Sequence, residues 1–557
     1  MTPSPSRPAV AAQLAAPPAQ AEARHRGELR FVAALVTLAL LISSAPLVYG
    51  YLATPPDKHF VGVVYDVPDH AQYFAWMRDL ARENLAPNRL TPEPNAPAFF
   101  NLLWWGVGRL GAFTGLDYAA LWALLRILAA LALLGAGYAF IRVAAPHAQR
   151  RLAFGLFAFG GGLGVVWVAV KYLRSLPDAP FPFDIYTAEP NTFFILMAFP
   201  HFGLALASVI AMLGLTLTAY RRRQLRYALA AGAVGFTIGL QHAYDLITVF
   251  AVIALFGLLV WLRDRRFPAF LLKSGALIAA LSAPPAAYLS ALVLTDPTWG
   301  RKLEQFDNAG AWTPLPWHLP ILLGAPFLLA LLAFRPKMLR SRDDAQLFTA
   351  AWFVAHFPLV YLPVKFQIHL LLGWQVPIAI LAAGALLTTV RPWLAQHAPA
   401  LVRPTLAALL GLCMVTNVYI TAWRVLDFSR HTAPYYLTQD EVAALRWLGE
   451  RTTRADVVLA DLEFGQNVPV WSDARAFLSH WAGTLDFFAK RALAAEVLDP
   501  ATPPARRAAI LDQYAVTYVV ARPQNGPPEV LAASSAGQLT QAFRAGDVTI
   551  FRVRKER

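Results

Sequence analysis

The sequence predicts a mainly α, polytopic helical membrane bundle with a small extracytoplasmic α/β domain at its C-terminal end. Three observations carry this. Of 557 residues, 57% are hydrophobic and only 15% charged, at a mean hydropathy of +0.46, whereas soluble globular chains carry about 25% charged residues. Apolar runs long enough to cross a bilayer as helices recur from residue 31 to about 425. Beyond that the hydropathy falls, and helix signals alternate with short strand-type runs.

Taken in order, residues 1–28 are Ala/Pro-rich without an apolar helical face and read as a disordered tail. A signal peptide is disfavoured, because the following apolar run is too long and no small-residue cleavage site ends it. Residues 29–425 form the transmembrane module. About eleven spans are expected, near 31–52, 117–144, 152–173, 197–220, 227–241, 246–262, 269–294, 317–334, 347–363, 370–390 and 404–424. With the N-terminus placed in the cytoplasm, the inner loops hold 18 Lys/Arg in 45 residues and the outer loops 9 in 95. That bias places the long first loop, 53–116, and the C-terminal domain outside the cell membrane. Within the first loop, 69–84 has the spacing of an amphipathic helix lying on the membrane surface. Segment 98–114 reads as an interfacial or re-entrant helix with Trp104 and Trp105 at headgroup depth. Residues 426–557 form the α/β domain, with a helix at 440–451 and strand signals at 457–460, 516–520 and 548–551. The net charge of +14 is spread over short loops and reads as a topology signal, with no nucleic-acid partner. The single cysteine, Cys413, excludes an intrachain disulfide. There is no internal repeat and no nucleotide-binding glycine signature.

The polar residues that stand out lie on the outer side. Segment 61–80, VGVVYDVPDHAQYFAWMRDL, sets Asp66, Asp69, His70, Tyr73 and Asp79 directly after the first span, where a carboxylate stays ionised and still meets a lipid-borne substrate. The competing reading makes Asp69 the N-cap of the following helix. A second outer loop, FPFDIYTAEPNTFF, adds Asp184 and Glu189. Two carboxylates on one side suit general-base work plus either substrate orientation or a divalent ion; the sequence names no cofactor with certainty. His201 and His242 lie at helix ends, where structural histidines are common, and neither has metal-ligand spacing. Arg301 and Lys365 stand near outer membrane ends, suited to snorkelling or to clamping a lipid phosphate. Ser479-His480 lacks a nucleophile-elbow pattern.

Asp69-His-Ala-Gln-Tyr73 after span one, with the second-loop run Glu189-Pro-Asn-Thr-Phe193, resembles the GT-C superfamily of membrane glycosyltransferases. Within it the chain is most similar to dolichyl-phosphate-mannose-type and lipid A glycosyl- or aminoarabinosyl-transferases. The resemblance covers mainly residues 30–425. It implies a polyprenyl-phosphate-linked sugar as donor and a lipid, glycan or protein acceptor. It also implies Asp69 as catalytic base, with Asp66 the alternative, and Asp184 or Glu189 for acceptor or metal placement. Lys365, Arg301 and His369 would hold the donor phosphate, with Tyr73, His201 and His242 lining the pocket. The rival readings are a transporter or lipid flippase without chemistry, and a membrane-anchored binding protein.

Overall fold

The computed structural model describes residues 18–177, 182–310 and 312–554. Helix α1 (Pro18–Leu52) starts inside the segment expected as a tail; residues 1–17 lie outside the described ones. The first loop carries strand β1 (Lys58–Phe60) and helices α2 (Val67–Arg82) and α3 (Leu102–Thr114). The bundle continues with α4 (Tyr118–Ala144), α5 (His147–Phe159), α6 (Gly164–Leu173), α7 (Thr192–Ala198), α8 (Pro200–Arg222), α9 (Leu225–Gly239), α10 (Asp245–Asp264) and α11 (Ala269–Thr295). It closes with α12 (Pro297–Glu304), α13 (Leu319–Ala333), α14 (Asp344–Leu359), α15 (Gln375–Ala385), α16 (Arg391–His397) and α17 (Val402–Phe428).

Among the described residues, eight helical stretches are long and apolar enough to cross a membrane, and the bent pair α5–α6 makes a ninth. Eleven were expected. The difference lies in α9 and α14, which have 15 and 16 residues and therefore reach only about 23 Å at 1.5 Å per residue.

Two helix breaks meet inside the bundle. The chain bends by 50° between α5 and α6, and α13 is interrupted at Gly324, whose φ is 70°. A Cβ on Gly324 would stand 2.1 Å from the Gly161 carbonyl oxygen, so only glycine lets the two breaks touch. The freed backbone groups find partners, as an apolar interior requires. The Leu163 N–H donates to the Ile321 carbonyl (2.7 Å) and the Gly161 N–H to that of Cys413 (2.8 Å). Asn417 donates to the Phe159 carbonyl (2.7 Å) and Thr416 to that of Gly162 (2.8 Å).

The C-terminal domain has a five-stranded sheet in the order β4-β3-β5-β7-β6, built from β3 (Val457–Leu459), β4 (Arg475–Ala476), β5 (Tyr518–Ala521), β6 (Leu539–Ala545) and β7 (Val548–Val553). β3 runs parallel to β4 and β5, and β7 is antiparallel to β5 and β6. The expected strands correspond to β3, β5 and β7. The expected helix is α18 (Gln439–Arg451), started by a Thr438/Glu441 capping box. Strand β2 (Tyr436–Thr438) pairs antiparallel with β1 and ties the start of this domain to the first loop.

That tie belongs to a larger seam. Arg89, 2% exposed, pairs with Asp79 at 3.0 Å and donates to the carbonyls of Pro469, Ser472 and Ala474. Arg78 pairs with Asp473 at 3.0 Å, and Lys490 with Glu93 at 2.5 Å. α2 is therefore sandwiched between the bundle and the C-terminal domain, with Met77 and Leu80 fully buried. It does not lie on an open membrane surface as its amphipathic spacing suggested, because its polar face meets protein. Arg89→Met should cost about 3–5 kcal/mol, since it strands the buried Asp79 carboxylate. Thermal melting of the solubilised protein measures this, and a double Asp79→Leu/Arg89→Met variant should recover part of the loss.

Candidate active site

The N-terminus of α2 places the first-loop acids. Asp66 is its N-cap, in the left-handed region at φ 44°, and its carboxylate accepts the Asp69 N–H at 3.4 Å. The cap is thus Asp66, not Asp69. Asp69 lies in the first turn with its side chain free for other partners. The Tyr73 hydroxyl donates to Asp69 Oδ2 at 3.3 Å, and His480 Nε2 donates to Oδ1 at 2.5 Å. Burial works to raise the Asp69 carboxyl, but the His480 bond and the imidazoles of His480, His70 and His369 outweigh it, so it sits below its ordinary value. Burial and then the charge of Asp69 push Asp66 well above the usual carboxylate range. The two neighbours are driven apart, Asp69 down and Asp66 up.

Helix α12 supplies the cation. Asp296 caps it by accepting the Thr298 and Trp299 N–H groups, with Pro297 at its first position. Trp299 and Lys302, three residues apart, share a face. The Lys302 ammonium lies 4.2 Å from the Trp76 ring centroid and 4.9 Å from that of Trp299, and donates to Gln72 Oε1 at 2.5 Å. Burial lowers Lys302 to about 7, against the opposing pull of Asp69. Among the described residues no carboxylate pairs with it directly; its partners are a neutral amide and two aromatic faces.

The opposite wall holds Glu189, bonded to His369 Nδ1 at 2.5 Å, with Tyr244 stacked on the His369 ring at 5.1 Å. His242 faces Asp245 at 3.4 Å. Both ring nitrogens of His201 are buried without a hydrogen-bond partner, beside Tyr73 (4.9 Å) and His242 (5.4 Å). Asp66, Asp69, Gln72, Tyr73, Glu189, His201, His242, Lys302, His369 and His480 line one cavity of about 770 Å³, whose lining also includes apolar residues, among them Phe250 and Ala283, Ala286, Ala287 and Leu289 of α11.

The structure thus brings together Asp66, Asp69, Glu189, His369, Tyr73, His201 and His242 on the cavity wall. Three other expected residues stand elsewhere. Asp184 is fully buried and accepts the Gly164 N–H at 2.8 Å at the start of α6, where an anion suits a helix N-terminus. A Cβ on Gly162 or Gly164 would overlap its carboxylate at about 2 Å. Arg301 pairs with Asp486 (2.7 Å) and Lys365 with Asp307 (2.5 Å), all four exposed, outside the cavity lining. Trp104, expected at headgroup depth, is 3% exposed and stacks on Tyr73 at 4.7 Å inside the site. Sequence reasoning missed Lys302 and His480 as site residues. The Asp296-Pro297 cap and the three-residue spacing from Trp299 are the signal that separates Lys302 from Arg301. No local signal marks His480, which lies 411 residues from Asp69.

No group of three or more His, Cys, Asp or Glu able to hold a metal occurs among the described residues.

No protein-family model and no curated protein sequence matches the chain. Solved structures do. The archaeal oligosaccharyltransferase AglB from Archaeoglobus fulgidus, in complex with an inhibitory peptide and a dolichol-phosphate, matches at TM-score 0.55 and 13% identity, over 92% of this chain and 72% of that one. The arabinofuranosyltransferase AftD from Mycobacteria matches at 0.52 and 15%, over 95% and 40%. ArnT from Cupriavidus metallidurans, bound to undecaprenyl phosphate, matches at 0.50 and 14%, over 94% and 97%. These are GT-C membrane glycosyltransferases, and the chain has their fold: a multi-pass helical module followed by a small domain containing a sheet.

If Asp184 serves only as the cap of α6, Asp184→Asn should keep near-normal stability while Asp184→Ala loses about 0.5–2 kcal/mol. Melting temperatures of the two variants decide this.

Proposed function

We propose that the protein is an integral-membrane glycosyltransferase that moves a sugar from a polyprenyl-phosphate donor to an acceptor hydroxyl on the outer side of the membrane. The observation that carries this reading is that Asp69, held ionised, and Lys302, paired with no carboxylate among the described residues, line one cavity that also has apolar lining from Phe250 and α11. A lipid-phosphate sugar needs those three features together: an apolar slot for the chain, a cation for the phosphate and a base for the acceptor. The AglB structure in complex with a dolichol-phosphate and the ArnT structure bound to undecaprenyl phosphate support the donor class. The positive-inside bias supports the outward orientation, with the N-terminus cytoplasmic.

The mechanism is a single displacement. The acceptor oxygen attacks the anomeric carbon as its proton passes to Asp69 Oδ2, and the bond from that carbon to the phosphate oxygen breaks. The polyprenyl phosphate leaves with the electron pair, its charge met by the Lys302 ammonium. A phosphate leaving group needs no proton, so one base suffices, and positioning of the two substrates contributes about 7–11 kcal/mol. Glu189, through His369, is assigned to acceptor placement.

A transporter reading draws on the paired helix breaks at 160–163 and Gly324, the device that secondary transporters use at their binding sites. Here the freed backbone groups are bonded to Asn417, Thr416 and the Cys413 and Ile321 carbonyls. The breaks are closed by the protein itself and do not form the cavity's polar wall.

Asp69→Asn, assayed for transfer from polyprenyl-phosphate sugars, should lower kcat by about 10²–10⁴-fold. Undiminished transfer would remove Asp69 as base. Lys302 is protonated below about 7 and neutral above, so kcat/KM for the donor should fall as pH rises through that value. Lys302→Met should raise the donor KM and abolish that limb, while Lys302→Arg should move it to higher pH.

A further inference from the structure

We propose that His480, carried by the C-terminal domain, is a positioning residue that permanently donates to Asp69 and aims its second oxygen into the cavity, without itself taking up the proton. The inference rests on the reading of the cavity as a transfer site.

The tautomer is written in the backbone. His480 Nδ1 accepts the N–H groups of Ala482 and Gly483, both at 3.1 Å. A ring nitrogen that accepts two donors holds no hydrogen, so the ring proton sits on Nε2, which faces Asp69 Oδ1. Taking a second proton would set an Nδ1–H against two N–H groups inside a site where the ring is 2% exposed. Burial, opposed by Asp69 and reinforced by the nearby Lys302 charge, keeps the imidazole neutral. In a proton-shuttling histidine the far nitrogen finds an acceptor, which stabilises the cation. Here it finds two donors, and the cation is disfavoured. The proton abstracted from the acceptor therefore stays on Asp69, on the oxygen that Tyr73 also contacts.

The turn that presents His480 is built against the loop that presents Asp69. Asn88 donates to the Gly483 carbonyl (2.8 Å), Thr484 to that of Leu90 (2.6 Å), and Thr484 in turn accepts the Ser479 N–H (2.9 Å). A Cβ on Gly483 would stand 2.5 Å from the Leu90 side chain, so the turn approaches the first loop only with glycine there. Docking of the C-terminal domain thus completes the site with a residue the bundle lacks. The other titratable groups acting on Asp69 are Asp66, His70 and Tyr73 of α2, Lys302 of α12, Tyr244 of the 241–245 turn, and His369. All remain when His480 is changed.

The test uses full-length protein in nanodiscs with a polyprenyl-phosphate sugar as donor. His480→Ala should lower kcat about tenfold with little change in donor KM, and should move the acid limb of the pH profile up by about one unit, as Asp69 loses its donor. His480→Gln, which offers an amide N–H at a similar reach, should restore much of both; where His480→Ala does not fold, this variant and the spectra decide. ¹⁵N-histidine spectra of the wild type should show the His480 ring protonated at Nε2 and bare at Nδ1 from about pH 6 to 8, with the Nε2 signal moved in Asp69→Asn. An acid limb that stays in place in both variants, or a His480 ring that is cationic or protonated at Nδ1 in that range, overturns the proposal. Absence of transfer by wild type from any such donor overturns the transfer reading instead, and leaves the tautomer measurement standing.

Discussion

Everything at the site follows from keeping one carboxylate charged beside an apolar hollow. An isolated ionised carboxyl in such surroundings is driven toward taking up a proton, the direction in which burial pushes Asp66. Asp69 escapes because an imidazole from 411 residues away donates to it. That donor arrives only if the C-terminal domain is pinned to the first loop. The seam of Arg89–Asp79, Arg78–Asp473, Lys490–Glu93 and the β1–β2 pair is therefore part of the site's electrostatics as much as of the fold. Arg89 has the central place in that seam: fully desolvated, it spends its donors on Asp79 and on three carbonyls of the other domain.

The same accounting holds deeper in the bundle, where every polar group needs an internal partner. Arg126, 3% exposed within α4, donates to the Leu196 carbonyl (3.1 Å) and to Ser44 (2.6 Å), cross-linking α1, α4 and α7. Asp184 caps α6 at the helix break, and Asn191 and Asn417 bond to each other at 2.7 Å beside it. These groups hold irregular backbone in place below the cavity.

How far the sequence spoke depends on the range of the interaction. Hydropathy and loop charge marked helices at all eleven expected positions, because both are properties of contiguous segments, though two of these helices are shorter than a bilayer. Asp66, Asp69, Tyr73, Glu189, His201, His242 and His369 were legible as polar residues gathered on one side of the membrane. Asp184 was not separable from Glu189, since only the packing of Gly162 and Gly164 around its carboxylate reveals a cap. Arg301 was chosen over Lys302 because adjacency in sequence hides orientation on a helix. The burial of α2 depends on a domain that begins some 350 residues later, and Trp104 is buried against Tyr73, Trp122 and His201; no local period carries either.

The pairing pattern of the cations completes the argument. Arg301 and Lys365 were natural candidates for binding phosphate because they are charged and lie near the membrane, yet each is paired with an exposed aspartate. An ammonium paired with a carboxylate offers little to an incoming anion. Lys302 is held instead by Gln72 and two indole faces, which stabilise a cation without neutralising it. Its pKa near 7 is the sign of that incomplete compensation: burial has cost the charge its water, and no anion of the protein replaces it. A bound phosphate would supply the missing charge and raise that pKa, so donor binding and protonation of Lys302 favour each other. Asp69 is close enough to pull the lysine toward its charged form, but it is satisfied by His480 and Tyr73 and has no need of it. The cavity therefore keeps a carboxylate and a cation on one lining without letting them cancel, the arrangement that the proposed lipid-phosphate donor calls for.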